Sequence, residues 1–456
     1  MSMQHHPALP YKYELVQHTR GLGIEVGEGI TAESEPLYPH FRKVESLTDA
    51  DRAAGLDFVL VCHGSPGIEV ENIKVGGFLC VVRHGGVQVL ERDPDFNGKA
   101  SWHSVDLSIP PKTVCVVRYG GFGDMIQAAN IFPALKRDGW RVVVMTTPQG
   151  KDIVAHDPHV DEFLLQDTDQ VPNNELTAYW DVQSARFERF INLSESVEGT
   201  LLAYPGRANH GWPDALRRRE LGKNYLEWTA QLAELPYLSE TRFYPAEEER
   251  QAADRFLTRI RRRAAQVPEV GPTNAPATFN IMFTLAGSSV HKMYPHQDDV
   301  IANVLAALPE ATFTLVGDYA CQLLEQGWEE HHRVNCLAGR IGIRETLAVA
   351  QRMDCVVGPE TGVLNAVGFE RNAKVILLSH SSPENLTKHW VNTEAIEPPT
   401  ACYPCHRLHH DRRHCPEHEP TGASQCAFDI DPFRVFAAIG RAYAGWQQLR
   451  ALKGLS

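Results

Sequence analysis

The sequence has no apolar run long enough to cross a lipid bilayer, and it is poor in positive charge. Its 44 Lys and Arg residues are outnumbered by 57 Asp and Glu, which gives a formal net charge of −13. The first twenty residues also lack the apolar centre of a secretory signal peptide. We therefore expect a cytoplasmic protein without a membrane span, whose acidic surface disfavours nucleic acid and anionic lipid.

Wholesale disorder is also excluded, because 43% of the 456 residues are hydrophobic and only 22% are charged. This length suggests two to three domains. Short β-like runs at 56–63, 76–83 and 86–92 are separated by turn residues and predict a β-rich accessory domain over residues 1–111. Its role is left open between acceptor docking, formation of a homo-oligomer and a purely structural function.

From residue 112 onward, apolar strand-like runs alternate with helical patterns, which is typical of doubly wound α/β domains. We predict one Rossmann-like domain over 112–263 and a second over 279–430. The segment 264–278 between them is rich in Pro and poor in bulky apolar residues, so it reads as a linker. A closing helix is expected over 431–456. Two such domains facing one another predict a ligand in the cleft between them.

The first of these domains opens with a strand at 113–118 that leads through a glycine-rich loop into a helix over about 125–136. In this loop Gly121 and Gly123 let the backbone turn tightly and approach a ligand closely. Asp124 follows them at the first turn of the predicted helix. It is either an ordinary helix-capping residue or a general base facing the cleft.

The second domain carries two further polar segments, each after a predicted strand. Ser288 and Lys292 follow the strand at 279–285, and a lysine there supplies a positive charge suited to a diphosphate. Glu360, Thr361 and Gly362 follow the strand at 355–358. The latter two can bind phosphate oxygens and Glu360 can accept hydroxyls of ribose or sugar, although a capped helix without ligand explains them as well.

These three segments, in this order, resemble the family 9 glycosyltransferases, typified by the ADP-heptose heptosyltransferases. The resemblance implies a GT-B fold and inverting transfer from a nucleotide diphosphate sugar such as ADP-heptose, with no catalytic metal. It also implies Asp124 as catalytic base, Lys292 as diphosphate-binding lysine, and Thr361 with Gly362 as the phosphate-binding turn. The chain has Glu360 and Asn365 where the family usually has Asp and His.

Four of the ten cysteines fall within twenty-five residues near the end of the chain, spaced C-x2-C-x9-C-x10-C. Four thiolates at such spacing are the ligand set of a tetrahedral metal site, so residues 400–428 are predicted to form a finger with structural iron or zinc. With the β-rich start, this finger resembles the autotransporter heptosyltransferases, a protein-modifying branch whose finger binds iron. The predicted ligands are Cys402, Cys405, Cys415 and Cys426. Nearby histidines could compete as ligands, namely His406, His409, His410, His414 and His418.

The sequence thus predicts an inverting glycosyltransferase that moves a heptose or hexose to a hydroxyl acceptor. The acceptor is left open between a protein, a glycan and a modified nucleic acid. Two other functions remain open: a nucleotide-sugar epimerase of the same fold, and a non-catalytic protein whose metal finger binds a partner.

Overall fold

The structure, a computed structural model, describes 112–165, 180, 183–184, 186–194, 213–236, 240–266, 276–287, 292–406 and 415–454, together with six strands before residue 106. The chain divides into two compact units. One unit comprises Met1–Cys115 with Asp169–Phe190, and the other comprises Val116–Thr168 with Ile191–Ser456.

The six early strands form one sheet in the order β2-β1-β3-β4-β5-β6. Strands β1 to β4 pair in parallel, whereas β4, β5 and β6 pair antiparallel. The strands are β1 (Gly23–Val26), β2 (Phe41–Val44), β3 (Leu56–Val61), β4 (Ile73–Arg83), β5 (Gly86–Pro94) and β6 (Ala100–Val105).

The next sheet has four strands in the order β10-β7-β8-β9. Its inner strands are runs of buried Val, a β-branched residue that fits a covered pleated surface. Strands β8 and β9 pair in parallel. The four strands are β7 (Thr113–Val117), β8 (Arg141–Thr146), β9 (Glu162–Leu165) and β10 (Arg189–Asn192). Strand β7 falls within the strand predicted at 113–118.

The prediction of a single helix over 125–136 is wrong. Helix α1 (Phe122–Ala128) is followed by a 3-10 turn (Ala129–Ile131) and then by α2 (Phe132–Arg137). The cause is Pro133, which has no N–H to donate to the carbonyl four residues earlier. The chain therefore tightens into a 3-10 turn before the second helix starts.

Among the residues described between 148 and 266, four further helices precede the second sheet. The longest, α6, buries Ala253, Phe256 and Ile260 at helical spacing. Its first turn is acidic and its last turn is basic, which complements the helix dipole at both ends. The helices are α3 (Pro148–Val154), α4 (Asp214–Leu221), α5 (Tyr225–Leu232) and α6 (Glu247–Ala264).

The second sheet of this unit has six strands, all parallel, in the order β13-β12-β11-β14-β15-β16. This is the strand order of a Rossmann fold, whose ligand site lies where the order reverses, here between β11 and β14. The predicted α/β class, with two sheets of parallel strands, is confirmed. The strands are β11 (Phe279–Thr284), β12 (Ala311–Val316), β13 (Val334–Cys336), β14 (Cys355–Pro359), β15 (Ala373–Leu377) and β16 (Thr393–Ile396).

Helices around this sheet are α7 (Gln297–Ala307), α8 (Ile343–Ala350), α9 (Gly362–Val367), α10 (Gln425–Phe428) and α11 (Pro432–Leu452). The predicted closing helix is α11. It starts at Asp431, whose side chain accepts the N–H of Phe433, and its buried Tyr443 packs against Phe279 of β11. In the part of the chain described here, no helix is long and apolar enough to cross a membrane.

Arg344, at the start of α8, joins three separate segments. Its guanidinium donates to both carboxylate oxygens of Glu249 in α6 at 2.7 and 2.8 Å. It also donates to the carbonyls of Asp152 in α3 and Tyr244 at 2.5 and 3.1 Å. Burial raises the pKa of Glu249, but Arg344 and the Ala246 N–H outweigh burial and lower it below its usual value. This arginine therefore fastens the first α/β sheet region to the second.

We expect Arg344→Ala to lower the free energy of unfolding by about 1–3 kcal/mol, because several hydrogen bonds to a charged donor are lost. The loss should shrink at acid pH. The lowered pKa of Glu249 stabilises the fold above about pH 4.5, and this contribution disappears as pH falls through the folded-state pKa. Urea unfolding at pH 7 and at pH 4 measures the loss of unfolding free energy and its dependence on pH. The exposed pair of Arg352 with Asp254 is the control, since Arg352→Ala should have little effect.

Candidate active site

The loop after β11 places Lys292 close to Gly287. A Cβ on Gly287 would lie 2.5 Å from Lys292 Cδ and 3.2 Å from the carbonyl oxygen of Glu360. Glycine is therefore needed where the lysine side chain crosses the loop between the ends of β11 and β14. Ser288, the other predicted residue of this loop, lies outside the described residues.

Lys292 also interacts electrostatically with the charged residues of the other two predicted segments, Glu360 and Asp124. Burial lowers the pKa of its ammonium group, while Glu360 and Asp124 act in the opposite direction. Only charges within a few ångströms to about 10 Å interact appreciably at ordinary ionic strength. The structure thus brings together the three charged residues that the sequence singled out in separate segments.

Glu360 is buried immediately after β14, and its carboxylate bonds to the turn after β15. One oxygen accepts the N–H groups of Ser379 and Ser381 at 2.8 and 3.1 Å. The other pairs with His380 and lies 3.4 Å from the Ser381 hydroxyl. Burial raises the pKa of Glu360, but His380, Lys292 and the Ser379 N–H lower it to about 2. These four donors fill the carboxylate's capacity, so the predicted contact with sugar hydroxyls requires one of them to move.

Thr361 and Gly362 begin α9 beside this carboxylate. Thr361 caps the helix, with its hydroxyl 3.5 Å from the Leu364 N–H and 3.5 Å from the Thr284 hydroxyl at the end of β11. Gly362 touches the other glycine loop, because a Cβ there would lie 3.0 Å from the Gly123 nitrogen. The first turns of α1 and α9 are therefore in direct contact.

Asp124 sits in the first turn of α1 with both carboxylate oxygens engaged. One accepts the Gly121 N–H at 2.7 Å, and the other pairs with the buried guanidinium of Arg118 at 3.2 Å. The N-cap position itself is Gly121, and Asp124 caps its N–H from the third helical position. A third of the side chain is nevertheless exposed, and each oxygen keeps a lone pair. The carboxylate is thus held rigidly while remaining open to a hydroxyl.

Asn365, which replaces the histidine usual in the resembled family, lies at the contact between α1 and α9. Its side chain accepts a hydrogen bond from Gln127 at 3.4 Å. Its amide nitrogen also packs on Gly123, where a Cβ would come within 2.5 Å of it. Asn365 therefore holds the two helix starts together.

Two residues of the site were not predicted, Arg118 and His380. Arg118 follows directly from β7, so its position at a strand end was an available signal. His380 had the same signal, since it lies three residues after β15. Neither was assigned a role from the sequence, because the carboxylate with which a side chain pairs is a property of the folded state.

The four cysteines of the predicted finger are all half-buried, and within the described residues none of them forms a disulfide. Burial raises the pKa of the Cys415 and Cys426 thiols to about 11, and the charges of the other finger cysteines add to the shift. The four sulfurs therefore lie within electrostatic reach of one another. Among the residues described, with 407–414 outside them, no three or more His, Cys, Asp or Glu side chains are placed to hold a metal ion.

A parallel Rossmann sheet with polar loops at its switch point, joined to a second parallel sheet, is the architecture of the GT-B glycosyltransferases. The chain is similar in structure to ADP-heptose LPS heptosyltransferase II of E. coli. The TM-score is 0.51 at 15% identity, over 74% of this chain and 99% of that one. This likeness shows that the chain has the same fold.

Two weaker likenesses were also found. One is a family 9 glycosyl transferase of Veillonella parvula, with TM-score 0.47 and 14% identity over 63% of this chain and 86% of that one. Another is the iron-containing dodecameric glycosyltransferase TibC of enterotoxigenic E. coli, with TM-score 0.47 and 14% identity over 79% and 82%. With TM-scores under 0.5, they add no weight to the fold assignment. No protein-family model and no curated protein matches the sequence.

Proposed function

We propose that the protein is an inverting glycosyltransferase that moves a heptose or hexose from a nucleotide diphosphate sugar, with ADP-heptose the first donor to test. The observation that carries this proposal is that Asp124, Lys292 and Thr361 lie near one another. Lys292 and Thr361 lie at the switch point of the Rossmann sheet, where such folds bind nucleotides. Asp124 comes from the other sheet region, through the contact of α1 with α9.

The chemistry follows from these positions. Asp124 accepts the proton of the acceptor hydroxyl as its oxygen attacks the anomeric carbon of the donor. The bond from that carbon to the diphosphate breaks, and the electron pair leaves with the nucleoside diphosphate. Lys292 and the Thr361–Gly362 turn offset the charge that develops on this leaving group. Attack opposite to the leaving group inverts the anomeric configuration.

A screen of donors tests the proposal directly. We expect one nucleotide sugar among the ADP, UDP, GDP and CDP series to raise the melting temperature, because a ligand that binds only the folded state stabilises it. With a hydroxyl acceptor present, the same sugar should release free nucleoside diphosphate. Conversion of the sugar without acceptor would indicate an epimerase instead. Absence of binding across the series would contradict the proposal.

Lys292 gives donor binding a specific pH dependence. Because burial lowers its pKa below 10.5, the charge that binds the diphosphate is lost as pH rises toward that lowered value. We expect the affinity for nucleoside diphosphate, measured by calorimetry from pH 7 to 10, to decline in the wild type. The decline should vanish in Lys292→Arg, since guanidinium stays charged throughout. Lys292→Ala should bind weakly at every pH, and wild-type affinity in that variant would remove Lys292 from the site.

We also propose that Cys402, Cys405, Cys415 and Cys426 hold one structural iron or zinc ion. Four half-buried thiols at the spacing C-x2-C-x9-C-x10-C are a donor set that suits either metal. The ion would be closed off by four protein ligands and would take no part in transfer. We further propose a protein hydroxyl as the first acceptor to test, and a cytoplasmic, homo-oligomeric enzyme.

A further inference from the structure

His380 lies in the turn that follows β15, beside the end of β14. Its ring nitrogen Nδ1 faces the Glu360 carboxylate, and 13% of its side chain is exposed. The other ring nitrogen, Nε2, makes no hydrogen bond to the part of the chain that the structure describes, and it is not a buried atom. The ring is therefore fixed at one nitrogen and available at the other.

The backbone around this ring is held from two sides. The Ser379 and Ser381 N–H groups, on either side of His380, both bond to the Glu360 carboxylate. The carbonyl of His380 itself accepts the N–H of buried His406 at 3.0 Å. A side chain fixed in this way presents its free nitrogen in one orientation, which is what a binding site requires.

The charges around His380 favour an anion. Glu360 is flanked by His380 and Lys292, and both lower its pKa. Asp124 also acts on Lys292, but it is paired with Arg118. An imidazolium that donates its Nδ1–H to Glu360 also carries an Nε2–H, and this charged donor is a good partner for a phosphate oxygen.

We propose that His380 Nε2 binds an oxygen of the donor's diphosphate next to Lys292, and that Glu360 is the positioning residue that aims it. This inference rests on the proposed function and adds a second cation to the diphosphate site. It also gives the buried Glu360 carboxylate a role, which is to orient His380. Its full set of hydrogen bonds permits this role, because no direct contact with the sugar is needed.

The test compares nucleoside diphosphates with their parent nucleosides by calorimetry. ADP, UDP, GDP and CDP are titrated into the full-length wild type, and the tightest is titrated into His380→Gln and Glu360→Gln. We expect both variants to lose about tenfold or more in affinity for the diphosphate, as expected for a charge-assisted hydrogen bond, and none for the nucleoside. His332→Gln is the matched control, because this ring stacks on His331 and touches no residue of the site.

His380→Gln leaves a buried carboxylate without its cation, so the double variant Glu360→Gln with His380→Gln is included. It removes both charges and should bind diphosphate no better than either single variant. Equal loss for diphosphate and nucleoside would show a purely structural role and overturn the inference. Unchanged diphosphate affinity would also overturn it while leaving the proposed function intact. If the wild type binds none of the four diphosphates, the proposed function fails and the inference with it.

Discussion

Asp124→Asn is expected to slow sugar transfer by about two orders of magnitude or more, because it removes the carboxylate that takes the acceptor's proton. The substitution is nearly isosteric. The Asn side-chain oxygen can still accept the Gly121 N–H that now bonds to Asp124 at 2.7 Å. The charge opposite the buried Arg118 guanidinium is lost, so we also expect some loss of stability, limited by the solvent that reaches Asp124. The effect should therefore be far larger in turnover than in stability.

Three measurements separate a general base from a structural cap. Turnover is followed as nucleoside diphosphate release, donor affinity by calorimetry and stability by thermal melting. We expect only the first to change strongly. Asp161→Asn is a matched control, because Asp161 forms a surface pair with Lys136 at 2.8 Å. Wild-type turnover in Asp124→Asn would leave Asp124 as a helix cap alone. A matched fall in donor affinity would place it in donor binding instead.

The sheets could be predicted where the chain itself signals burial. Strands such as β8 and β12 contain continuous apolar or β-branched runs with every central residue buried, so composition alone marks them. Strand β13 has only three residues and β16 is half-exposed, so neither produces such a run. They belong to the sheet because their neighbours hydrogen-bond to them, which a local pattern does not record.

The site shows the same division between local and long-range information. The predicted positions of Lys292 and Thr361 followed from one rule, that the carboxyl ends of parallel strands meet at one edge. The contact of Gly123 with Gly362 could not be predicted, because it depends on how helices of two sheet regions pack. These glycines were predicted to approach a ligand. The structure shows that they also let two helix starts approach each other.

Loss of any one of the four finger cysteines is expected to remove the metal entirely. Purified wild type should contain about one iron or zinc per chain, with metal–sulfur distances of roughly 2.3 Å. The thiolate is the ligand, so binding must displace protons from thiols such as Cys415 and Cys426, whose pKa is raised to about 11. Metal affinity should therefore fall steeply as pH is lowered, because protons compete for the same sulfurs.

The metal should also determine the stability of the end of the chain. The hairpin of β17 (Glu417–His418) and β18 (Ala423–Ser424) is only two residues long on each side, and it leads through α10 to the closing helix α11. Such a short hairpin contributes little stability on its own. The free energy of metal binding should therefore stabilise the folded form of this segment directly. We expect each Cys→Ser variant to lose the ion, to melt at lower temperature and to be cut by protease between residues 400 and 428.

Elemental analysis measures the metal content of the four finger variants, which are Cys402→Ser, Cys405→Ser, Cys415→Ser and Cys426→Ser. The control is Cys336→Ser. Cys336 is half-buried in the second sheet and belongs to no cluster of thiols, so its variant should keep the full metal content. Transfer should fall in the four finger variants, because the His406 N–H that bonds to the His380 carbonyl lies directly after Cys405. Metal-free wild type that resists protease in this segment would contradict the finger. Retention of the ion in a single variant would exclude that cysteine as a ligand.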